Sequence, residues 1–356
     1  MKNSKNNFAK LFSAIDKFKI YLFIIAIIGL IAIPFLHLNN YIINIIIKII
    51  NYIIMALGLN ILVGMTGLVS LGQAGFVAIG AYTTSILMIK FNVNFFLAII
   101  VAIIISAIAG FVMGLPTLRL KGTYLSIITL GFGEIIRTVI IVWEKVTNGP
   151  LGLRNIPLPS IFGFKLSMSN GGLYILTVIT MVLVILFIYR LQNSKTGRAF
   201  RAIKQDETAS IMMGLNTTYY KVLAFLLSAV ICAIAGSIYA TQLGYIDQNT
   251  FTFDMSTMIL SIVILGGMGT IRGMIIGSVI LVVFPELSRS LMDYRFVLYG
   301  IILVIMMRFR PQGLLGWRDV NDYKLSKKVL TDLKNIEGNG ANYEWEYITK
   351  RWKYFN

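Results

Sequence analysis

The feature that most constrains this chain is its series of long apolar blocks, among them IYLFIIAIIGLIAIPFL (residues 20–36) and FFLAIIVAIIISAIAGFVMGL (residues 95–115). Each is near the roughly 20 residues a helix needs to cross a hydrocarbon core. Lipid offers the backbone no hydrogen-bond partners, so only α-helices and closed barrels span it. Barrel strands alternate apolar and polar side chains, and these runs do not. The sequence therefore predicts an all-α, polytopic helical membrane protein. A charged fraction of 13% beside 57% hydrophobic residues agrees, because soluble domains carry about 25% charged residues.

About ten (8–10) transmembrane or partly broken helices are expected, at 20–38, 42–62, 67–89, 94–116, 123–143, 172–190, 222–243, 256–270, 273–290 and 296–309. Lysine and arginine collect on cytoplasmic loops. With the N-terminus inside, those loops hold Lys2, Lys5, Lys10, Lys17 and Lys19, then Arg119 and Lys121, then Arg190, Lys195, Arg198, Arg201 and Lys204, then Arg272, Arg308 and Arg310. The outer loops are 39–41, 91–93, 144–171 and 244–255, the last bearing Asp247 and Asp254 and no cation. Both termini are thus expected in the cytoplasm. The chain divides into a basic N-terminus (1–19), a transmembrane region (20–316) with a cytoplasmic loop at about 191–221, and a polar tail (317–356). The net charge of +17 is read as this loop bias. No basic stripe is interleaved with stacking aromatics, so no nucleic-acid partner is expected. The first apolar run lacks a small-residue cleavage site and is read as an uncleaved span.

Much chemistry is missing. No G-x-x-x-x-G-K-[ST], H-E-x-x-H or G-x-S-x-G occurs, so the chain has no P-loop, zinc-protease helix or serine elbow of its own. Cys232 is a single cysteine inside a span, and His37 is a single histidine at a span end. No enzyme activity, metal or cofactor is expected. Glu134 and Arg137 lie three apart in GFGEIIRTV, on one helix face, where they can form an intramembrane ion pair. Lys48 and Glu286 stand singly in other spans. A proton or ion relay would need acids stacked through successive spans, and none are seen.

Two stretches are poor simple helices: GLNILVGMTGLVSLGQAGFVAIGAY (58–82) and LGGMGTIRGMIIGSVI (265–280). Glycine allows both close helix packing and helix breaks, and broken helices at comparable places in two halves mark transport pathways. Gly64, Gly72 and Gly267, with the polar Thr66, Ser70 and Gln73, are therefore candidate pathway residues. One polar segment, GRAFRAIKQDETASIMMGLNTTYYK (197–221), interrupts the apolar pattern. At 100° per residue, Arg201, Lys204, Gln205 and Thr208 share one side. Ala199, Ala202, Ile203, Ala209 and Met213 share the other, with Asp206 intruding. One short amphipathic helix is expected on the cytoplasmic surface, stopped by Gly214. Its apolar side suits either a partner protein or the membrane surface.

RAIKQDETASIMMGLN resembles the coupling loop of ABC-transporter permeases, whose pattern is Glu-Ala-Ala, three residues, Gly. Here it reads Thr208-Ala209-Ser210, three residues, Gly214, with the acid displaced to Glu207. LVGMTGLVSLGQAGFVAIGAY, RLKGTYLSIITLGFGEIIR, TNGPLGLRNIP, ILGGMGTIRGMIIGSVI and FRPQGLLG then follow the order seen in bacterial branched-chain amino acid permeases, in the longer, M-type subunit. The resemblance covers roughly residues 40–316; urea and short-amide permeases share nearly the same motifs. It implies a bacterial cytoplasmic (inner) membrane protein paired with a second permease subunit. Two separate ABC ATPase subunits would bind the ATP, and an extracellular or periplasmic binding protein would deliver the cargo. Arg201, Asp206, Glu207, Ala209 and Gly214 would meet the ATPase, and Thr66, Ser70 and Gln73 would offer polar groups to a zwitterion. TNGPLGLRNIP would meet the binding protein or serve as a plain turn. A reading of another class is a stand-alone channel or secondary carrier.

Overall fold

The structure is a computed structural model and describes residues 39–116, 122–161, 164–167, 170–287, 300, 304, 308 and 313–315. The basic N-terminus, the expected span at 20–38, most of that at 296–309 and the tail at 317–356 lie outside the described residues.

Helix α1 (Asn40–Asn60) starts at Asn39, whose side chain accepts from the Tyr41 N–H, and runs into a wider, π-helical turn at Ile61–Thr66. Then come α2 (Gln73–Lys90), α3 (Phe95–Gly114) and α4 (Thr123–Val142). A loop region holds the short α5 (Glu144–Thr147) and the strands β1 (Leu153–Arg154), β2 (Ser160–Ile161) and β3 (Phe164–Lys165). The chain continues through α6 (Gly172–Asn193), α7 (Lys195–Gln205), α8 (Glu207–Met212), α9 (Thr217–Leu243), β4 (Tyr245–Ile246), α10 (Phe253–Gly266) and α11 (Ile271–Leu287). The fold is nearly all-helical, as expected. Among the described residues, two small antiparallel pairs, β1 with β4 and β2 with β3, are the exception. Five segments among the described residues are long and apolar enough to cross a membrane: Asn40–Thr66, Phe95–Gly114, Thr123–Val142, Gly172–Asn193 and Thr217–Leu243.

Helix α9 is the axis on which α1, α2 and α3 pack, and small residues are the reason they come so close. A side chain on Gly80 of α2 would strike the Ala233 carbonyl, and one on Gly236 of α9 would strike the Val77 carbonyl. One turn further along, the Thr84 and Ser237 hydroxyls meet at 2.7 Å. On α3, Gly110 faces Ala229, Gly114 faces Val222, and the Ser106 hydroxyl donates to the Ala229 carbonyl at 2.9 Å. On α1, Gly58 lies against Cys232, and Asn51 donates to Gln242 at 2.8 Å. These pairings make α2 parallel to α9, and α1 and α3 antiparallel to it. The predicted alternation of spans gives the same relative directions. The Tyr41 hydroxyl donates to Glu286, joining the start of α1 to the end of α11.

The exposed face of α3 carries Leu97, Ile100, Ile104, Ile108 and Val112. A face with no polar group suits lipid.

Candidate functional site

The first feature is a break between α1 and α2. The sequence predicts a span at 67–89, but helix begins only at Gln73. Gly67 takes φ +74° and ends the π-helical turn, a conformation that side chains resist. A side chain on Gly72 would strike the Thr129 carbonyl, so the backbone of the break lies directly on α4. Its freed polar groups find partners on other helices, the condition for irregular backbone at membrane depth. The Leu71 N–H donates to Thr129 Oγ1 at 3.0 Å, Ser126 Oγ donates to the Val69 carbonyl at 3.3 Å, and the Ala74 N–H donates to Ser256 Oγ at 3.0 Å.

Gln73 is fully buried in this break. Its Oε1 accepts from Cys232 Sγ at 3.0 Å and from Ser228 Oγ at 3.4 Å, while Nε2 donates to Ser70 Oγ at 3.5 Å. Thr66 donates to the Leu62 carbonyl at 2.6 Å, one turn back. The structure therefore gathers Thr66, Ser70, Gly72 and Gln73 at one break and engages their polar atoms internally. Sequence reasoning missed the partners Ser126, Thr129, Ser228 and Ser256. Their only signal is a hydroxyl inside an apolar run, which a bond to the helix's own backbone explains equally well.

A second break separates α10 from α11, where spans at 256–270 and 273–290 are expected. Helix α10 stops at Gly266 because Gly267 and Gly269 take φ of +114° and +87°. The two breaks meet. The Gly269 N–H donates to Asn60 Oδ1 at 2.8 Å, and Gly64 has room only for hydrogen, since a side chain there would strike Asn60 and the Gly269 nitrogen. Gln192, at the end of α6, donates to the Gly269 carbonyl at 3.1 Å. Lys204, on α7, reaches the Gly64 carbonyl at 2.9 Å. Gly64 thus meets Gly269, two residues past Gly267, through Asn60, while Gln192 and Lys204 hold one glycine each; none of these three side chains was singled out as a pathway residue.

The polar segment departs from the expected single helix. It forms two, α7 and α8, parted at Asp206, whose backbone is extended (φ −156°, ψ 113°) and whose carboxylate accepts from the Ala209 N–H at 3.0 Å. Aspartate competes for backbone N–H groups and favours a cap over a helix interior, and here the cap wins. Helix α7 buries Ala199 and Ile203, as expected, together with Phe200. Helix α8 is reset by the break, so Ala209 and Met213, expected to share one apolar side with Ala199 and Ile203, are exposed while those two are buried. Met212 and Met213 are 81% and 83% exposed. Gly214 ends the segment with φ +81°. Arg201 donates to the Gln192 carbonyl at 3.0 Å, and Glu207 pairs with the buried Lys221 of α9. Of the five candidate coupling residues, Ala209 and Gly214 stand at the surface. Asp206, itself exposed, caps α8, while Arg201 and Glu207 bind neighbouring elements.

On α4, Arg137 Nη1 lies 3.3 Å from Glu134 Oε2, and Arg137 Nε donates to the Gln248 carbonyl at 3.3 Å. Beside Glu134 a small cavity of about 10 Å³ is walled by Leu71, Ala74, Leu130, Phe251, Phe253 and Ser256. The motif TNGPLGLRNIP makes the turn that seats β1 on β4. A side chain on Gly152 would strike the Ile246 carbonyl, and Arg154 stacks 5.6 Å above the Tyr245 ring. An open cleft of about 530 Å³ adjoins them, lined by Arg154, Asn155, Leu243, Gly244 and Tyr245.

The family model for the branched-chain amino acid transport system permease component matches residues 41–307. The chain belongs to that family. The high-affinity branched-chain amino acid transport system permease protein LivM of Salmonella typhimurium is 41% identical over 74% of this chain and 67% of its own length. LivM of Escherichia coli is 39% identical over the same shares. The permease protein LivH of Salmonella typhimurium is 26% identical over 76% of this chain and 92% of its own length. No solved structure matches the chain. This permease is a multi-pass membrane protein, and its two broken-helix regions both fall within the matched residues.

Proposed function

We propose that this permease is the transmembrane subunit of an ATP-driven importer for branched-chain or other hydrophobic amino acids. In this reading it forms the translocation pathway with a second, related permease subunit. Two separate ABC ATPases bind the ATP, and an extracellular or periplasmic binding protein delivers cargo. The identity to LivM supports the cargo class, and the weaker match to LivH supports a related second permease. Both termini and the 191–221 loop lie in the cytoplasm.

One observation carries the reading. The α7–α8 element has an exposed end at Ala209, Met212 and Met213, and at the end of α7, just before the break, Lys204 holds the Gly64 carbonyl. An ATPase seated on the exposed end moves α8. Asp206 and the Glu207–Lys221 pair make α7 and the start of α9 follow it. Lys204 and Gln192 then carry the displacement to both helix breaks, where backbone already freed from helix can open at small cost. The energy comes from the ATPases, and this chain supplies the linkage.

The test is uptake of radiolabelled leucine and of urea in cells carrying the complete gene set, comparing the native chain with Met213→Asp. That position is exposed, so its loss acts on a partner rather than on the fold. Leucine uptake abolished with the chain still in the membrane is the expected result. Urea uptake instead changes the cargo and keeps the machine. Uptake indifferent to Met213→Asp, or independent of the ATPases, overturns the coupling reading in favour of a channel or secondary carrier.

A further inference from the structure

Helix α4 differs from α3 in what it leaves exposed. Where α3 presents only aliphatic and aromatic side chains, α4 presents Gly131, Glu134, Arg137 and Thr138 among its isoleucines. Glu134 lies about 17 Å along α4 from Thr123 at 1.5 Å per residue, close to mid-depth of a spanning helix. Its side chain and that of Arg137 are 44% and 33% exposed. Charged groups at this depth do not face hydrocarbon; they face protein or water.

The pair is also chemically unfinished. Glu134 uses Oε2 toward Arg137, and Arg137 uses Nη1 and Nε, which leaves Glu134 Oε1 and Arg137 Nη2 without partners among the described residues. Glu134 lines the cavity of about 10 Å³, room for about one water-sized group. An ammonium is that size. The cavity walls mix the apolar Leu71, Leu130, Phe251 and Phe253 with the hydroxyl residues Thr252 and Ser256. An acceptor and a donor fork one helical turn apart, beside walls of mixed character, complement the ammonium and carboxylate of an α-amino acid. They offer a neutral amide no comparable gain.

We propose that Glu134 and Arg137 form the recognition pair for the zwitterionic head of the cargo. Glu134 Oε1 accepts from the α-ammonium and Arg137 Nη2 donates to the α-carboxylate. This rests on the amino-acid importer reading above and explains its preference for leucine over urea.

The experiment measures leucine uptake and ATP hydrolysis by the assembled transporter in proteoliposomes at saturating binding protein. Glu134→Gln and Arg137→Gln are each expected to lower uptake per ATP at least about tenfold, as loss of a charge-assisted hydrogen bond requires. The double variant Glu134→Arg with Arg137→Glu keeps an internal pair and reverses the polarity offered to cargo; it is expected to stay inactive. Restored uptake in that variant makes the pair structural glue and overturns the proposal, as do neutral variants that transport like the native chain. If the neutral variants fail to reach the membrane, Glu134→Asp and Arg137→Lys decide, and unchanged uptake per ATP in both overturns it. A native transporter that moves no amino acid at all fails the importer reading instead.

Discussion

Lys204 Nζ donates to the Gly64 carbonyl at 2.9 Å, joining residues 140 positions apart. The bond ties a polar surface helix to the backbone of a helix break. A lysine there reaches far enough on its flexible stem to pack over Gly67 and still place its ammonium on the carbonyl.

Lys204→Met keeps the stem and removes the bond. Lys204 is itself exposed, so the chain should still reach the membrane, with stability lowered by no more than about 1–3 kcal/mol, the cost of one unpaired carbonyl. Uptake per ATP hydrolysed should fall by at least about fivefold, the lower end of typical coupling energies. Equal fall in hydrolysis and uptake would mean that ATPase docking, not transmission, had been lost.

Glu207 and Lys221 join α8 to α9, and the lysine side chain is only 3% exposed. Glu207→Gln leaves that ammonium buried beside a neutral amide. Removing one partner of a buried pair costs about 3–5 kcal/mol, to be read as a lower midpoint in thermal unfolding of the detergent-solubilised chain. Glu207→Leu combined with Lys221→Met should recover most of that loss, because no charge is then left buried.

Gly80→Ala and Gly236→Ala test the α2–α9 contact. Each added methyl meets backbone, at the Ala233 and Val77 carbonyls, and neither helix can give way by rotating a side chain. A cost of about 1–3 kcal/mol is expected for each. Gly131→Ala on α4 is the control: nothing lies within 4 Å of its added carbon, so stability of the isolated chain should stay within about 0.5 kcal/mol.

Gln73→Ala strands the Ser228, Cys232 and Ser70 groups that now bond to the amide. Leaving buried polar groups unpaired costs about 1–3 kcal/mol. The proposed preference for leucine over urea should be the same in this variant as in the native chain, since the amide is fully buried and engaged within the break. A shifted preference would put Gln73 in the cargo path.

The helical class, the polar segment between the spans and the Glu134–Arg137 pair were all legible in the sequence. Each rests on local rules: apolar length for spans, three-residue spacing for the ion pair, glycine for the stop at Gly214. Local rules also failed in a specific place. The 100° periodicity over 197–221 reads as one helix, yet Asp206 caps a second one, and that turn parts the exposed Ala209 and Met213 from the buried Ala199 and Ile203. Periodicity carries no information about which aspartate stops a helix, because the cap and the interior position share one sequence pattern.

The sequence by itself determined that this chain spans a membrane as helices, where those helices contain glycine-rich weak points, and to which family it belongs. Only the tertiary structure decided that the two weak points meet. Gly269 bonds to Asn60, Gln192 to Gly269 and Lys204 to Gly64, across separations that no local pattern encodes. Backbone freed from a helix in lipid must find partners elsewhere in the chain, and only the packed arrangement of α1, α6, α7 and α10 brings those partners within reach.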